Sequence, residues 1–217
     1  MDNLNKAKWE HGKSKTLWFY RKKLPWKAQQ FNKPLTLPGY FAPMIGDKKE
    51  VTIAELGSGM FCTIGSIWKG VDVKIYPSDA LADEFNKILK ESGVTPIIPV
   101  LKEDMENLSY PDNFFDIVHC VNALDHTQNP AKAIKEMYRV AKPGGFIYLR
   151  HFVNVGESEH YAGLHMWNVD IDGKLGGMIW NRQEKFYLTD LFKGFGSVMK
   201  REMDYENEDL VVSILKK

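Results

Sequence analysis

Apolar and polar positions follow one another in short blocks that read as strand, turn and helix. Val51, Ile53 and Leu56 form a β-prone run that stops at Gly57-Ser58-Gly59, the pattern of a buried strand entering a tight turn. Met60 to Trp68 is apolar enough for a short buried helix, and Val71 to Tyr76 alternates as a second strand. After Pro77-Ser78-Asp79, the residues Leu81, Phe85, Ile88 and Leu89 recur at helical spacing, with a stop at Gly93. Ile97 to Leu101 reads as a third strand and Phe115 to Val121 as a fourth. Asn129 and Pro130 suit a helix N-cap and first helical residue, with Ala131, Ile134, Met137, Tyr138 and Ala141 on one face. Pro143-Gly144-Gly145 ends that helix before a fifth strand, Phe146 to Leu149. Leu175 to Asn181 reads as a short strand or hairpin, and Leu188-Thr189-Asp190 as the capped start of a helix through Phe195. Ser197 to Asp204 and Asp209 to Lys216 read as strands joined by Tyr205-Glu206-Asn207-Glu208.

Residues 1–50 differ from the rest. Eleven Lys and Arg against four Asp and Glu leave a surplus of seven positive charges, so a chain of net charge +1 carries six net negative charges beyond residue 50. Trp9, Trp18, Phe19, Tyr20, Trp26, Phe31, Tyr40 and Phe41 lie among those bases, and Pro25, Pro34, Pro38 and Pro43 predict short broken pieces. The segment reads as an arm packed on the domain through its aromatics, or as a lid that brings positive charge to an anionic acceptor.

The other 167 residues, 51–217, read as one globular domain. Net charge near zero argues against wholesale nucleic-acid binding. No apolar run reaches the length of a membrane span and no secretory h-region opens the chain, so the expected location is the cytoplasm. Cys62 and Cys120 read as free thiols. The histidines are scattered, none pairs with another at ligand spacing, and no catalytic metal cluster is expected.

Glu55 sits at the end of the first strand beside the glycine turn, where open α/β sheets bind ligands. A carboxylate there suits hydroxyls or an ammonium better than a pyrophosphate. Asp79 lies just past the second strand, about twenty residues after the turn, the spacing of a ribose-binding carboxylate; it also suits a helix N-cap. Asp104 can accept from an exocyclic N–H, and Met105 can offer a polarizable contact.

The order of these motifs, above all LSYPDNFFDIVHCVNALDHTQNPAKAIKEMYRVAKPGGFIYL, resembles class I S-adenosylmethionine (SAM)-dependent methyltransferases of the small-molecule type from Val51 onward. HYAGLHMWN at residues 160–168 resembles a stretch of bacterial methyltransferases encoded with surface-polysaccharide genes, some suggestive of phosphoramidate methylation. The resemblance implies a Rossmann-like α/β fold, with a seven-stranded, mostly parallel sheet, a C-terminal antiparallel hairpin and helices on both faces. It implies SAM as cofactor, S-adenosylhomocysteine as product, and an acceptor-site insertion at about 153–187.

It further implies that Glu55, Gly57, Ser58, Gly59, Asp79, Ala80, Asp104, Met105, Glu106 and Asn122 hold the cofactor. Asp125, His126, His151 and His165 are the catalytic candidates, for a neutral acceptor needs a base. Arg150, Tyr161, Trp167 and Asn168 are candidates for the acceptor; Trp167 also suits a core anchor. An anionic acceptor needs cations instead, such as Arg150 and the N-terminal lysines. The family often has a third glycine where this chain has Phe61. The expected reaction is O-methylation of a small anionic or nucleotide- or saccharide-linked acceptor, with an RNA methyltransferase or a non-catalytic SAM-binding module as alternatives.

Overall fold

The computed structural model describes residues 2–172, 176–191, 196–203 and 209–217. The strands are β1 (Glu50–Leu56), β2 (Asp72–Asp79), β3 (Leu101–Lys102), β4 (Phe115–Val121), β5 (Ala141–Phe152), β6 (Asn168–Asp172), β7 (Gly176–Trp180), β8 (Lys185–Tyr187), β9 (Gly196–Met203) and β10 (Asp209–Lys216). The helices are α1 (Asp2–Phe31), α2 (Ala42–Ile45), α3 (Ala82–Glu91), α4 (Pro130–Val140), α5 (Val155–Ser158) and α6 (Leu188–Leu191).

Seven strands form the main sheet in the order β3-β2-β1-β4-β5-β10-β9. β1 is buried from Val51 to its end, as a central strand covered on both faces must be. It pairs in parallel with β2 and β4, and β5 pairs in parallel with β4. β10 runs antiparallel to both β5 and β9. The order reverses between β1 and β4, so a crevice opens at their C-terminal ends. The expected Rossmann-like α/β architecture is present. The residues joining β9 to β10, the Phe195 end of the helix predicted from Leu188, and Leu175 lie outside the described residues.

Each sheet face carries its own core. α4 buries Ala133, Ile134, Met137 and Val140 against β4 and β5 residues such as Val118 and Leu149. On the opposite face Leu37, Phe41, Met44 and Ile45 pack on Ile53, Ile117 and Tyr148. The predicted α4 face is thus partly corrected: Ala133 and Val140, rather than Ala131 and Tyr138, complete the buried stripe. Asn129 caps the helix, its side chain accepting from the Lys132 N–H at 3.0 Å, with Pro130 first in the helix.

Four other expectations are corrected. The N-terminal segment is not broken into short pieces: α1 runs through Pro25. Pro25 is exposed, so the Arg21 carbonyl that it leaves without a helical partner has water within reach. The inner residues Leu17, Tyr20, Leu24 and Phe31 hold the helix on Met60, Phe61 and Phe85. Met60 to Trp68 is largely buried but not helical, because Thr63 turns back to bond Glu55 at the tip of β1. The third strand shrinks to Leu101–Lys102, at the sheet edge. β5 begins at Ala141 and includes Pro143-Gly144-Gly145, with a register shift against β4 between Phe115 and Ile117.

Between β5 and β9, the strands β6, β7 and β8 form a small antiparallel sheet. Trp167 anchors it, fully buried, with its indole N–H donating to the Thr127 carbonyl at 2.9 Å.

Candidate functional site

The turn after β1 is held to the tip of β2: the N–H groups of Gly57 and Ser58 both donate to the Ser78 carbonyl, at 2.8 and 3.0 Å. Gly57 has φ of +71°, and a Cβ there would overlap the Ala123 methyl. Only glycine lets this turn lie against the loop that leaves β4. Asp79 closes the turn from the other side. Its Oδ2 accepts from the Gly59 N–H at 3.0 Å and its Oδ1 from the Leu81 N–H at 2.9 Å. Burial pushes the Asp79 pKa up, and these two N–H groups oppose that. Asp79 is therefore no cap of α3, whose N-cap is Leu81.

These elements enclose a cavity of about 330 Å³. Gly57, Asp79, Ala80, Asp104, Met105, Glu106 and Asn122 line it, joined by Ala123 and His126 from the loop after β4. Seven of the ten predicted cofactor residues thus meet on one concave surface. Glu106 also braces the site, its Oε1 accepting from the N–H groups of Gln128 and Asn129 at 2.6 and 3.0 Å. Asn122 takes a left-handed φ of +49°, and its side chain accepts from the Phe152 N–H at 3.1 Å, which fixes the loop to β5.

Glu55, Ser58 and Gly59 are absent from the cavity wall. The Glu55 carboxylate is buried and committed to the N–H and hydroxyl of Thr63, so it organises the 60–65 segment and does not face a ligand. Burial raises its pKa, against those hydrogen bonds. The Ser58 hydroxyl turns to the Gly59 carbonyl. Gly59 is covered by Tyr20: a Cβ on it would overlap the phenol oxygen.

Helix α1 supplies the wall that the sequence did not announce. Trp9, Glu10, Thr16 and Tyr20 line the cavity, and Gly12 lies so close to Gly163 that a side chain would meet its carbonyl. Leu164, from the insertion, closes the same side.

Of the catalytic candidates only His126 lines the cavity, and Asp125 and His165 stand behind it. Asp125 is buried, and the His165 Nδ1–H donates to its Oδ2 at 2.7 Å. His126 Nε2 stands 3.4 Å from the same oxygen and 3.3 Å from His165 Nδ1. Burial alone would raise the Asp125 pKa, but His126 and His165 together hold it below the usual carboxylate range. Burial lowers the pKa of His126, whereas Asp125 outweighs burial at His165 and raises its pKa. The expectation that no histidines pair is therefore corrected: residues 39 apart in sequence meet because the insertion folds back on the loop after β4.

The other candidates are placed elsewhere. His151 is fully buried with neither ring nitrogen hydrogen-bonded, and burial depresses its pKa to about 4. Arg150, the preceding residue of β5, points to the opposite face, where its charge acts on Tyr40 and His119. It is not in the cavity wall. Asn168 is fully buried, accepting from the Glu157 N–H and donating to the Tyr161 hydroxyl, while Arg182 lies over the Tyr161 ring. Tyr161, Trp167 and Asn168 build the insertion and do not line the cavity.

Residues 62–149 match the family model described as a methyltransferase domain. The ubiquinone/menaquinone biosynthesis C-methyltransferase UbiE of Coxiella burnetii is 25% identical over 150 residues, covering 69% of this chain and 52% of that protein. Its Chromobacterium violaceum counterpart is 34% identical over 115 residues, 53% of this chain and 38% of the relative. The sterol 24-C-methyltransferase erg-4 of Neurospora crassa is 31% identical over 109 residues, 49% and 29% of the two chains. The chain thus spans about half the length of the UbiE of C. burnetii. Among solved structures, the complex between the Haloferax volcanii Trm112 methyltransferase activator and a methyltransferase aligns with a TM-score of 0.58 at 13% identity, over 92% of this chain and 96% of that one. The CMeT domain of the citrinin polyketide synthase gives 0.51 at 18%, over 76% and 46%. These structural likenesses concern the fold.

Proposed function

We propose that this chain, built around a class I SAM-dependent methyltransferase domain, methylates an oxygen of a small saccharide-linked acceptor of the kind met in surface-glycan assembly; an anionic acceptor is not favoured, because Arg150 and the N-terminal lysines are absent from the cavity wall. The observation that carries the reading is that His126, backed by Asp125 and His165, lines the same cavity as the candidate cofactor residues. Asp79, Asp104 and Met105 line the cavity, where Asp79 would accept from a ribose diol and Asp104 and Met105 would meet an adenine, and the glycine at 57 keeps the turn free of a side chain. Bound SAM supplies the electrophilic methyl carbon.

His126 borders the cavity beside that cradle, backed by Asp125 and His165. Positioning an acceptor hydroxyl in line with the methyl carbon provides much of the rate, and the hydroxyl proton would pass to His126 Nε2 as the oxygen takes the methyl group. A carbon acceptor is the second reading, favoured by the C-methyltransferase names of the relatives. The same cluster would then relieve an activated carbon of its proton. No helix among the described residues is long and apolar enough to cross a membrane.

The test is incubation of the purified chain with methyl-labelled SAM and two acceptor panels, nucleotide sugars and activated phenols or quinols. Label on oxygen of the first panel supports the primary reading. Label only on carbon of the second overturns it in favour of the alternative. Label on neither, with S-adenosylhomocysteine bound, rejects both acceptor classes.

A further inference from the structure

We propose that Asp125 Oδ2, His126 Nε2 and His165 Nδ1 form a tripod for one divalent transition-metal ion, beside the cofactor cavity. The inference deepens the proposed methyl transfer and rests on it only for the ion's use: with both imidazole lone pairs committed, the ion would hold the acceptor oxygen and lower its pKa, in place of proton acceptance by His126.

Spacing is the first argument. The three atoms lie 2.7, 3.3 and 3.4 Å apart. The circle through them has a radius of about 1.8 Å. An ion at ~2.0–2.1 Å from each, the usual length of zinc bonds to imidazole nitrogen and carboxylate oxygen, therefore sits about 1 Å out of their plane. One ion can reach all three atoms without moving any of them.

Proton accounting is the second. A neutral imidazole has one N–H. His165 uses its own on Asp125, and a His126 protonated on Nδ1 leaves its Nε2 lone pair 3.4 Å from the carboxylate oxygen with no proton between them. A cation takes the lone pairs of all three atoms at once.

Rigidity and access complete the case. The Met166 N–H donates to the Asp125 carbonyl at 3.0 Å, and the Trp167 indole to the Thr127 carbonyl at 2.9 Å. These bonds lock the two ligand-bearing segments together on either side of the tripod. The carboxylate is only 3% exposed, but the two imidazoles are 30% and 33% exposed, which leaves one side open to an added ligand. Two nitrogens and one carboxylate oxygen with open positions suit zinc, iron(II) or cobalt(II) better than magnesium or calcium.

Chelator-treated full-length protein titrated with zinc in a calorimeter, with S-adenosylhomocysteine titrated in parallel, tests the proposal. The expected result is one zinc ion per chain. His165→Ala should weaken it by a factor on the order of 100 while S-adenosylhomocysteine affinity stays within about threefold. Folded wild type that binds S-adenosylhomocysteine but no zinc overturns the proposal, as does a stoichiometric zinc site unchanged in His165→Ala. Zinc binding without S-adenosylhomocysteine binding keeps the tripod and rejects the cofactor reading. Should His165→Ala fail to fold, cobalt(II) added to wild type decides: a visible ligand-field spectrum of nitrogen and oxygen donors, displaced by zinc, supports the site, and its absence rejects it.

Discussion

Replacing Asp79 by Asn changes the charge of one side chain in the cavity while keeping its size. In the wild type each carboxylate oxygen accepts a backbone N–H, from Gly59 at 3.0 Å and Leu81 at 2.9 Å, and the group still borders the cavity. An ionised carboxylate has lone pairs to spare for a ribose diol; an amide has one oxygen and turns an NH2 toward the other backbone N–H. A hydrogen bond to a charged group contributes about 1.5–3 kcal/mol, so losing one ribose bond weakens S-adenosylhomocysteine by roughly 10–150-fold. Calorimetric titration of wild type and Asp79→Asn reads this directly, and thermal unfolding of both shows whether the turn has kept its shape. An affinity that changes less than threefold in a variant melting like wild type would refute the assignment of Asp79 to the ribose.

Three further outcomes follow from the geometry. Gly57→Ala combines a positive φ with overlap on Ala123 and should cost about 2–5 kcal/mol in urea unfolding, whereas Gly39→Ala, with open space around it, should cost less than about 1. His119 is buried against Tyr40 and Tyr148, and burial depresses its pKa to about 3. The unfolded chain takes up that proton near pH 6.5, so the associated stability is full above pH 6.5 and falls as pH drops toward 3, by on the order of 5 kcal/mol; His119→Phe should flatten this part of a stability-against-pH curve. Burial opposes ionisation of Asp116, but hydrogen bonds from Lys142 and Thr52 prevail and hold its pKa below the usual range. Its stabilisation is present above the unfolded pKa near 4 and lost at lower pH. Asp116→Asn should cost about 1–3 kcal/mol at pH 7 by denaturant titration, and equal stability would show that the pair contributes nothing net.

The strands and their order of chemistry were legible because buried parallel strands are written as apolar runs and their tips as glycine and carboxylate. The place of Asp79 in the cavity wall could be read from its spacing after Gly57-Ser58-Gly59. Glu55 could not: the partner that removes it from the cavity is Thr63, eight residues away in a segment whose apolar content looked helical. Helix α1 was hidden because its aromatics and lysines surround the cylinder without a single apolar stripe, and because Pro25 signals a break that an exposed position tolerates. The meeting of His126 with His165 had no local signal beyond the two motifs themselves, since a 39-residue separation is closed only by the insertion's own packing.

The cavity wall contributed by α1 changes what counts as the smallest working unit of this protein. A chain trimmed to begin after Phe31 would keep all of residues 62–149, the stretch that matches the methyltransferase family. It would also have lost Trp9, Glu10, Thr16 and Tyr20, and with them one side of the cavity. The cavity-forming unit is therefore wider than the stretch that matches the family model, and domain boundaries drawn from that match would yield a trough where this chain has a chamber.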